Sequence, residues 1–466
     1  MSASTAGDAL RIAGFAEADW QQCLAAEPDH PAAFTADCKR FSEFWTRAAD
    51  LIAKLPAKPK RSESEKAAAA LLQERTRGAR VRFLRRHADD VYDALTARRS
   101  RFVRVEDLVV RAAETIPGLL PSTAQLAAES NCLQRDKQGY EIDQGLFLAA
   151  ILESPRAGRH LCQAMLLARP EAQELALKFA REGGIELTGA SLTRQGKAAI
   201  LKQSNARFLN AEDQTTLDGT EICLDVALLD RASEIVVMRG GPVTHPKYKN
   251  RRVFGAGINL THLYHGRIPY LWYLKRDLGY VNKMYRGLAL AHEPPPDEFG
   301  GQTIEKPCIA AVESFAIGGH CQLLLVMDYV LAERDAFISL PARKEGIIPG
   351  AANMRLPRFT GDRIARQLIQ YERRLDCDSP EARLICDEIV APGEMDMAIE
   401  RVVSGLTNSG VVSAAGNRRA IRIAQEPFDL CRAYFAIYAR EQAFCHFSPA
   451  LIANLERYWN AQNRAP

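Results

Sequence analysis

The chain has 466 residues, 47% hydrophobic and 25% charged, with a formal net charge of +4; that length supports two or three domains with ample core, and the charge is too small to name a polyanionic partner. No apolar run reaches the ~20 residues that a bilayer span needs, and no charged start followed by an apolar run marks a secretory leader. The 11 cysteines stand singly with no Cys-x-x-Cys pair, so a soluble, cytoplasmic protein with reduced thiols is expected.

Apolar residues Phe34, Cys38, Phe41, Trp45, Ala48, Ile52 and Leu55 recur at alternating steps of four and three. That spacing predicts an amphipathic helix, stopped by Pro56. A second helical stretch from about Ser64 carries Arg75, Arg77, Arg80, Arg82, Arg85 and Arg86. A nucleic-acid footprint would interleave aromatic stacking positions with these arginines. The domain is not strongly basic overall, and a solvated face paired with acids such as Asp89, Asp90 and Asp93 is expected. Pro117 and Pro121 break the next pattern, and helices from about Asp143 to Glu182 are interrupted at Pro155 and Pro170. Gly183-Gly184 closes this helical region.

The character then changes. Ile185–Leu192 and Lys197–Gln203 read as short strands, Asp213–Leu229 as a helix, and Ala232–Met238 as a strand ending at Gly240-Gly241. Ile304–Glu313, Cys321–Asp328 and Tyr329–Ala332 continue the alternation, which implies a layered α/β domain. The tail from about Ala414 is helical again. The expected organisation is a helical region 1–184, an α/β core 185–400 and a C-terminal helical region 401–466.

Two segments carry the chemistry. One is Val253-Phe254-Gly255-Ala256-Gly257-Ile258-Asn259-Leu260; the other runs from Lys306-Pro307-Cys308-Ile309-Ala310-Ala311-Val312 through Ile317-Gly318-Gly319-His320. Each reads as a strand entering small residues, and a helix-prone run follows the second. Backbone N–H groups at a helix start are unpaired and lie at the positive end of the dipole. A second N–H from the other loop completes a two-donor hole for an anion. Glycine is needed because a Cβ would block close approach of the ligand.

The two segments resemble the paired signature of the crotonase (enoyl-CoA hydratase/isomerase) superfamily: Phe-x-Ala-Gly-x-Asp-Leu, then Lys-Pro-x-Ile-Ala-Ala-Val-x-Gly-x-x-x-Gly-Gly-Gly. Ala206-Arg207-Phe208-Leu209-Asn210-Ala211 is similar to the family's Pro-Lys-x-Leu-Asn-Ala. The resemblance implies an α/β spiral of ββα turns behind an all-helical N-terminal domain, with C-terminal helices that associate into a homotrimer or a dimer of trimers. It implies an acyl-CoA thioester whose oxyanion is held by the N–H groups of Ile258 and Gly319. The CoA would lie along Arg207 and the basic loop containing His245, Lys247 and Tyr248, against Ala256, Gly257, Asn259 and Leu260. Phosphates give that basic loop a purpose.

The departures from the pattern bear on the reaction. Where hydratases keep two acid–base glutamates, this chain has Gln322 and Ala342, and Ile348, Pro349 and Gly350 stand where some isomerases place a carboxylate. An amide and a methyl group exchange no protons near neutral pH, so addition of water is not expected. No Gly-x-Gly-x-x-Gly opens a helix. His262 and His265, with no carboxylate nearby in sequence, read as packing or surface histidines, and no metal site is expected.

The whole chain resembles the cofactor-independent oxygenases of this superfamily, including in Asn210-Ala211-Glu212-Asp213, Gly318-Gly319-His320-Cys321-Gln322 and Gly346-Ile347-Ile348-Pro349-Gly350. That branch implies conversion of (3,5-dihydroxyphenyl)acetyl-CoA and O₂ to 3,5-dihydroxyphenylglyoxylate and CoA, in the making of dihydroxyphenylglycine for glycopeptide antibiotics. Neither a metal nor an organic cofactor is implied. Ile347 and Ile348 are candidates for an apolar O₂ pocket, or are simply core. Glu212 is the candidate base; the alternative is a glutamate stabilised by a helix N-terminus, with substrate or water as the base. Gln322 is expected to orient substrate without transferring a proton. A thioester hydrolase or decarboxylase of the same fold, and a non-catalytic nucleic-acid-binding scaffold, are the competing readings.

Overall fold

The helix Phe34–Ala53 forms on the expected stripe and buries Phe41, Phe44, Trp45, Ala48, Leu51 and Ile52. The arginine-rich helix runs Glu63–Leu95 and starts one turn-residue earlier than its sequence suggests. Ser62 caps it by accepting from the Glu65 N–H (3.3 Å), while Glu65 Oε2 accepts from the Ser62 N–H (2.7 Å). This computed structural model describes residues 3–30, 32–249, 251–295, 301–408 and 410–466.

The chain divides into two units: Met1–Leu161 with His265–Leu271 and Phe435–Phe447, and Cys162–Tyr264 with Trp272–Tyr434 and Ser448–Pro466. The first is helical. Within it four arginines of Glu63–Leu95 are paired, but not with Asp89, Asp90 or Asp93, while Arg85 and Arg86 are exposed. Arg75 and Arg82 meet Glu27 at 2.6 and 2.8 Å, and Arg77 and Arg80 meet Asp143 at 3.5 and 3.3 Å. Arg80 also donates to the carbonyls of Gly118 and Leu119. The charge expected on a solvated face is therefore spent in part on tying helices together, because acids from distant segments fold against it.

The second unit starts before the boundary expected at 184. The helix Pro170–Glu182 belongs to it, since Arg194 stacks on the Phe179 ring at 4.8 Å and donates to the Phe179 carbonyl at 3.1 Å. Gly183 ends that helix in the left-handed conformation. Among the described residues the strands are β1 (Gly184–Leu187), β2 (Ala190–Gln195), β3 (Ala198–Gln203), β4 (Ile235–Gly240), β5 (Leu288–Ala289), β6 (Thr303–Ile304), β7 (Cys308–Val312), β8 (Phe315–Ile317), β9 (Tyr329–Glu333), β10 (Phe337–Ser339), β11 (Arg374–Asp376) and β12 (Glu388–Val390). The main sheet has the order β1-β2-β3-β4-β7-β9-β12. It is antiparallel up to β3 and parallel from there. A smaller sheet has the order β11-β10-β8.

The parallel strands are apolar along their length because both faces are covered. Ile200, Ile235, Val237, Ile309, Ala311 and Leu331 pack on Met395, Ala398, Ile399, Val402 and Val403 of the helix Met395–Thr407. The run Ile185–Leu192 is a hairpin turning at Thr188-Gly189 rather than one strand, and Ile304–Glu313 divides into β6 and β7 around Pro307. Cys321–Asp328 contributes only the end of a short helix, Gly319–Leu324. Sequence patterning missed the helices Leu260–Tyr264, Leu271–Arg276 and Asn282–Arg286, and the π-helical segment Asp277–Val281 between the last two. Short elements of one or two turns carry too little periodicity to read. Among the described residues no helix is long and apolar enough to cross a membrane.

Candidate functional site

The two glycine-bearing segments lie side by side. Gly255 donates to the Phe315 carbonyl at 3.2 Å, and Ile317 donates to the Gly255 carbonyl at 3.0 Å. This parallel bridge carries the chain on to Gly257 and Gly319. Gly257 has φ +77°, and a Cβ there would stand 2.9 Å from the Ile317 carbonyl oxygen and 3.1 Å from the Gly319 nitrogen. Only glycine permits that approach. The approach brings the Ile258 and Gly319 amides together, and neither N–H has an acceptor among the described residues. Two such unpaired donors on adjacent segments make a candidate site for an oxyanion.

His320 braces this arrangement. Its Nδ1 accepts from the Gly257 N–H at 3.0 Å, and its Nε2 meets Gln203 Oε1 at 2.6 Å. The ring fills the space where a Gly255 Cβ would lie, 2.1 Å from Nε2. Burial pushes its pKa down to about 4. The neutral ring with the proton on Nε2 satisfies both partners. Truncation to His320→Ala would leave the Gly257 N–H without its acceptor, at a cost of about 1–3 kcal/mol. A lower melting temperature and slower turnover are expected, with His320→Gln partly restoring both. The histidine also sets a pH dependence. Its folded pKa lies below the ordinary histidine value of 6.5, so its share of the stability is complete above 6.5 and declines as pH falls towards 4. Thermal melts of parent and His320→Gln across that window measure it.

Beside Gly319 lies a buried polar cluster. Glu212 pairs with Ile258 in a short bridge, donating to the Gly257 carbonyl at 2.7 Å and accepting from the Asn259 N–H at 2.8 Å. Its side chain is 1% exposed. Oε1 accepts from Arg276 Nε at 2.8 Å and from the Tyr280 hydroxyl. Oε2 accepts no hydrogen bond and lies 2.2 Å from where a Cβ on Gly319 would stand. Burial opposes ionisation of Glu212, but the Arg276 charge overcomes it and holds the carboxyl below its usual value. Arg276 also donates to the Gly319 carbonyl at 2.8 Å, to Gln322 Oε1 at 3.1 Å and to Asp277 at 2.7 Å. A Cβ on Gly350 would come within 2.4 Å of Gln322 Oε1, so the Ile348-Pro349-Gly350 turn closes on the same cluster.

The helix-terminus account of Glu212 is not what the structure shows. Asp213 is the N-cap of Gln214–Leu229 and accepts from the Thr215 N–H. Glu212 stands before the cap and is neutralised by an arginine. Asp213 is also the carboxylate that His262 lacks in the sequence, 3.0 Å from its Nδ1. His262 is thus an ion-pair partner of the cap. Sequence reasoning missed Arg276 and Tyr280, because they lie on the unrecognised π-helical segment and its flank.

A cavity of about 770 Å³ opens in front of the hole. Of the candidate ligand-binding residues, Arg207, His245, Tyr248, Ala256, Ile258, Asn259 and Leu260 line it. Lys247 and Gly257 are not in its wall; Lys247 instead stacks on the Tyr248 ring at 5.2 Å. Glu212, Gly319, Gln322, Ile347 and Ile348 are likewise absent from the lining. Lys344, Glu345, Tyr458, Trp459 and Arg464 complete the wall. Trp459 Nε1 donates to Thr261 at 3.2 Å, which fixes the helix Pro449–Trp459 beside the first motif. The aromatic tail segment was visible in the sequence, but no local pattern ties it to a site 200 residues away. Among the described residues no three His, Cys, Asp or Glu side chains form a group able to hold a metal ion.

A family model described as enoyl-CoA hydratase/isomerase matches residues 301–420. Over 398 residues the chain is 46% identical to the (3,5-dihydroxyphenyl)acetyl-CoA 1,2-dioxygenase of Amycolatopsis orientalis, covering 85% of this chain and 90% of that protein. It is 25% identical over 239 residues to the short-chain-enoyl-CoA hydratase of Clostridium acetobutylicum, covering 51% of this chain and 82% of that one. Among solved structures, an enoyl-CoA hydratase from Mycobacterium avium subsp. paratuberculosis aligns with a TM-score of 0.48 at 19% identity, covering 58% of this chain and 98% of that chain.

Proposed function

The chain belongs to the enoyl-CoA hydratase/isomerase family, and from that premise we propose that it is a dioxygenase that converts (3,5-dihydroxyphenyl)acetyl-CoA and O₂ to 3,5-dihydroxyphenylglyoxylate and CoA. The observation that carries this reading is the pair of free N–H groups on Ile258 and Gly319, set beside Gln322 and Ala342 in place of the hydratase glutamates. Such a site holds an enolate and lacks the groups that add water. The extended match to the Amycolatopsis dioxygenase supports the oxygenase reading over hydration, and dihydroxyphenylglycine supply for glycopeptide antibiotics is the role that follows.

Carbonyl and ring both acidify the methylene of an arylacetyl thioester. Glu212 takes one of its protons, and the oxyanion settles between the two N–H groups. The enolate is conjugated with a phenolic ring and is electron-rich enough to reduce O₂ directly, so the chemistry proceeds without metal or organic cofactor. Gln322, held by Arg276, orients the bound species as a neutral amide and adds no second anion beside the enolate. Arg207, His245 and Lys247 meet the CoA phosphates; Arg207 and Lys247 have no acid partner among the described residues.

The enzyme works in a reducing compartment such as the cytoplasm, in keeping with its eleven free cysteines. It assembles as a homotrimer or a dimer of trimers through C-terminal helices, on which Val412, Ile421 and Ile423 are exposed. The decisive measurement is oxygen uptake with dihydroxyphenylacetyl-CoA after exhaustive chelation and a metal assay. One O₂ consumed per CoA released is expected. CoA release without oxygen uptake makes the protein a thioester hydrolase, and activity that disappears on chelation and returns with iron overturns cofactor independence.

A further inference from the structure

Glu345 is a carboxyl group that the reaction as described leaves unused. It ends the short helix Ala342–Glu345, its own N–H donating to the Pro341 carbonyl at 3.0 Å. Its side chain lies in the cavity wall with Ala256, Ile258 and Ile317. Its two oxygens lie 3.7 and 3.8 Å from where a Cβ on Gly318 would stand, beside the oxyanion glycine. The residue is only 9% exposed. Among the described residues its carboxyl has neither a hydrogen bond nor an ion pair. A carboxyl so enclosed and so lacking in partners is costly unless it is neutral or meets a ligand.

The charged neighbours do not rescue its ionised form. Glu372 is in the same cavity wall and draws Arg343 and Lys344 to itself, at 3.0 and 3.7 Å. Lys344 also stacks on the Tyr458 ring from the helix Pro449–Trp459, and Arg464 stacks on Trp459. Arg207, His245 and Tyr248 are the other titratable groups of the wall. Burial first, and then the Glu372 charge, push the Glu345 carboxyl up to about 8. It is therefore a protonated acid at neutral pH.

We propose that Glu345 protonates the CoA sulfur as the carbon–sulfur bond breaks. The inference rests on the dioxygenase reading, because that reaction ends with free CoA. With the carbonyl oxygen between Ile258 and Gly319, the sulfur on the same carbon faces the cavity through which the CoA chain leaves. Glu345 stands in the wall of that cavity, and Glu212 is absent from its lining. The Cα-bound peroxide anion attacks the thioester carbonyl and forms a carbon–oxygen bond. The carbon–sulfur bond breaks, with its electron pair going to sulfur, and the Glu345 proton follows. Cleavage of the O–O bond and loss of the second Cα hydrogen give the keto acid, and that hydrogen restores the acid. ArCH₂C(O)SCoA and O₂ thus give ArC(O)COOH and CoASH, with every atom accounted for. An alkyl thiol titrates at about 8.5, so an acid with a pKa near that value is well matched to the transfer.

The test compares the parent, Glu345→Gln and Glu372→Gln, following oxygen uptake and free thiol across pH. Glu345→Gln is expected to lower kcat by about a hundredfold, within the range for general acid catalysis, with KM nearly unchanged and the fall in rate above pH 8 abolished. Glu372→Gln should move that fall to lower pH, since it removes a charge that raises the Glu345 pKa. Short arylacetyl thioesters supply a readout that misfolding cannot imitate. The Glu345→Gln defect should persist with N-acetylcysteamine as leaving group and largely vanish with the more acidic trifluoroethanethiol. An equal defect with both thiols, or a parent-like pH profile in Glu345→Gln, overturns the proposal. A parent enzyme that releases CoA without taking up oxygen overturns instead the reading on which it rests.

Discussion

Gly319→Pro is expected to lower kcat by about 10²–10³, the usual cost of losing one oxyanion donor, or roughly 3–4 kcal/mol of transition-state stabilisation. Proline deletes the N–H and nothing else that the helix start needs, because the first position of a helix tolerates it. The added ring also meets Glu212 Oε2, which lies 2.2 Å from a Cβ at this position. Circular dichroism and affinity for a non-reactive acyl-CoA analogue must therefore be measured beside turnover. A folded, ligand-binding variant with parent-like turnover shows that the Gly319 N–H does not hold the developing charge.

Glu212→Gln is expected to suppress exchange of the substrate methylene hydrogens with deuterated water under anaerobic conditions by about 10²–10⁴, the usual contribution of a positioned base. The substitution nearly preserves shape. Arg276 keeps Asp277 at 2.7 Å, so its charge is not left uncompensated. Anaerobic exchange isolates proton removal from every oxygen-dependent step. Because burial is outweighed by Arg276 and the carboxyl stays below the ordinary glutamate value of 4.5, the parent should retain exchange down to that pH and lose it as the carboxylate is protonated below. Exchange at the parent rate in Glu212→Gln transfers the role to water or to the substrate itself.

These two experiments probe different kinds of knowledge. The two glycine-bearing segments were legible because their requirements are local: strands of apolar residues ending in glycines, where at Gly257 a Cβ would stand 2.9 Å from the Ile317 carbonyl oxygen. Gly257 and Gly319 announce themselves in the chain, and so does the replacement of two expected carboxylates by Gln322 and Ala342. The α/β core was legible for the same reason, since parallel strands covered on both faces must be apolar throughout.

Other features depend on contacts that the local pattern does not reveal. His320 looks like a helix-start residue in the chain and is the acceptor of the Gly257 N–H in the fold. Glu212 carries an arginine partner 64 residues away on the flank of a π-helical turn, and burial and the Glu372 charge push the Glu345 carboxyl up. By itself the sequence determined the family and the replacement of two expected glutamates by Gln322 and Ala342. The tertiary structure decided which carboxyl is ionised and which stays neutral, because that depends on desolvation and on charges that only the folded chain brings within a few ångströms.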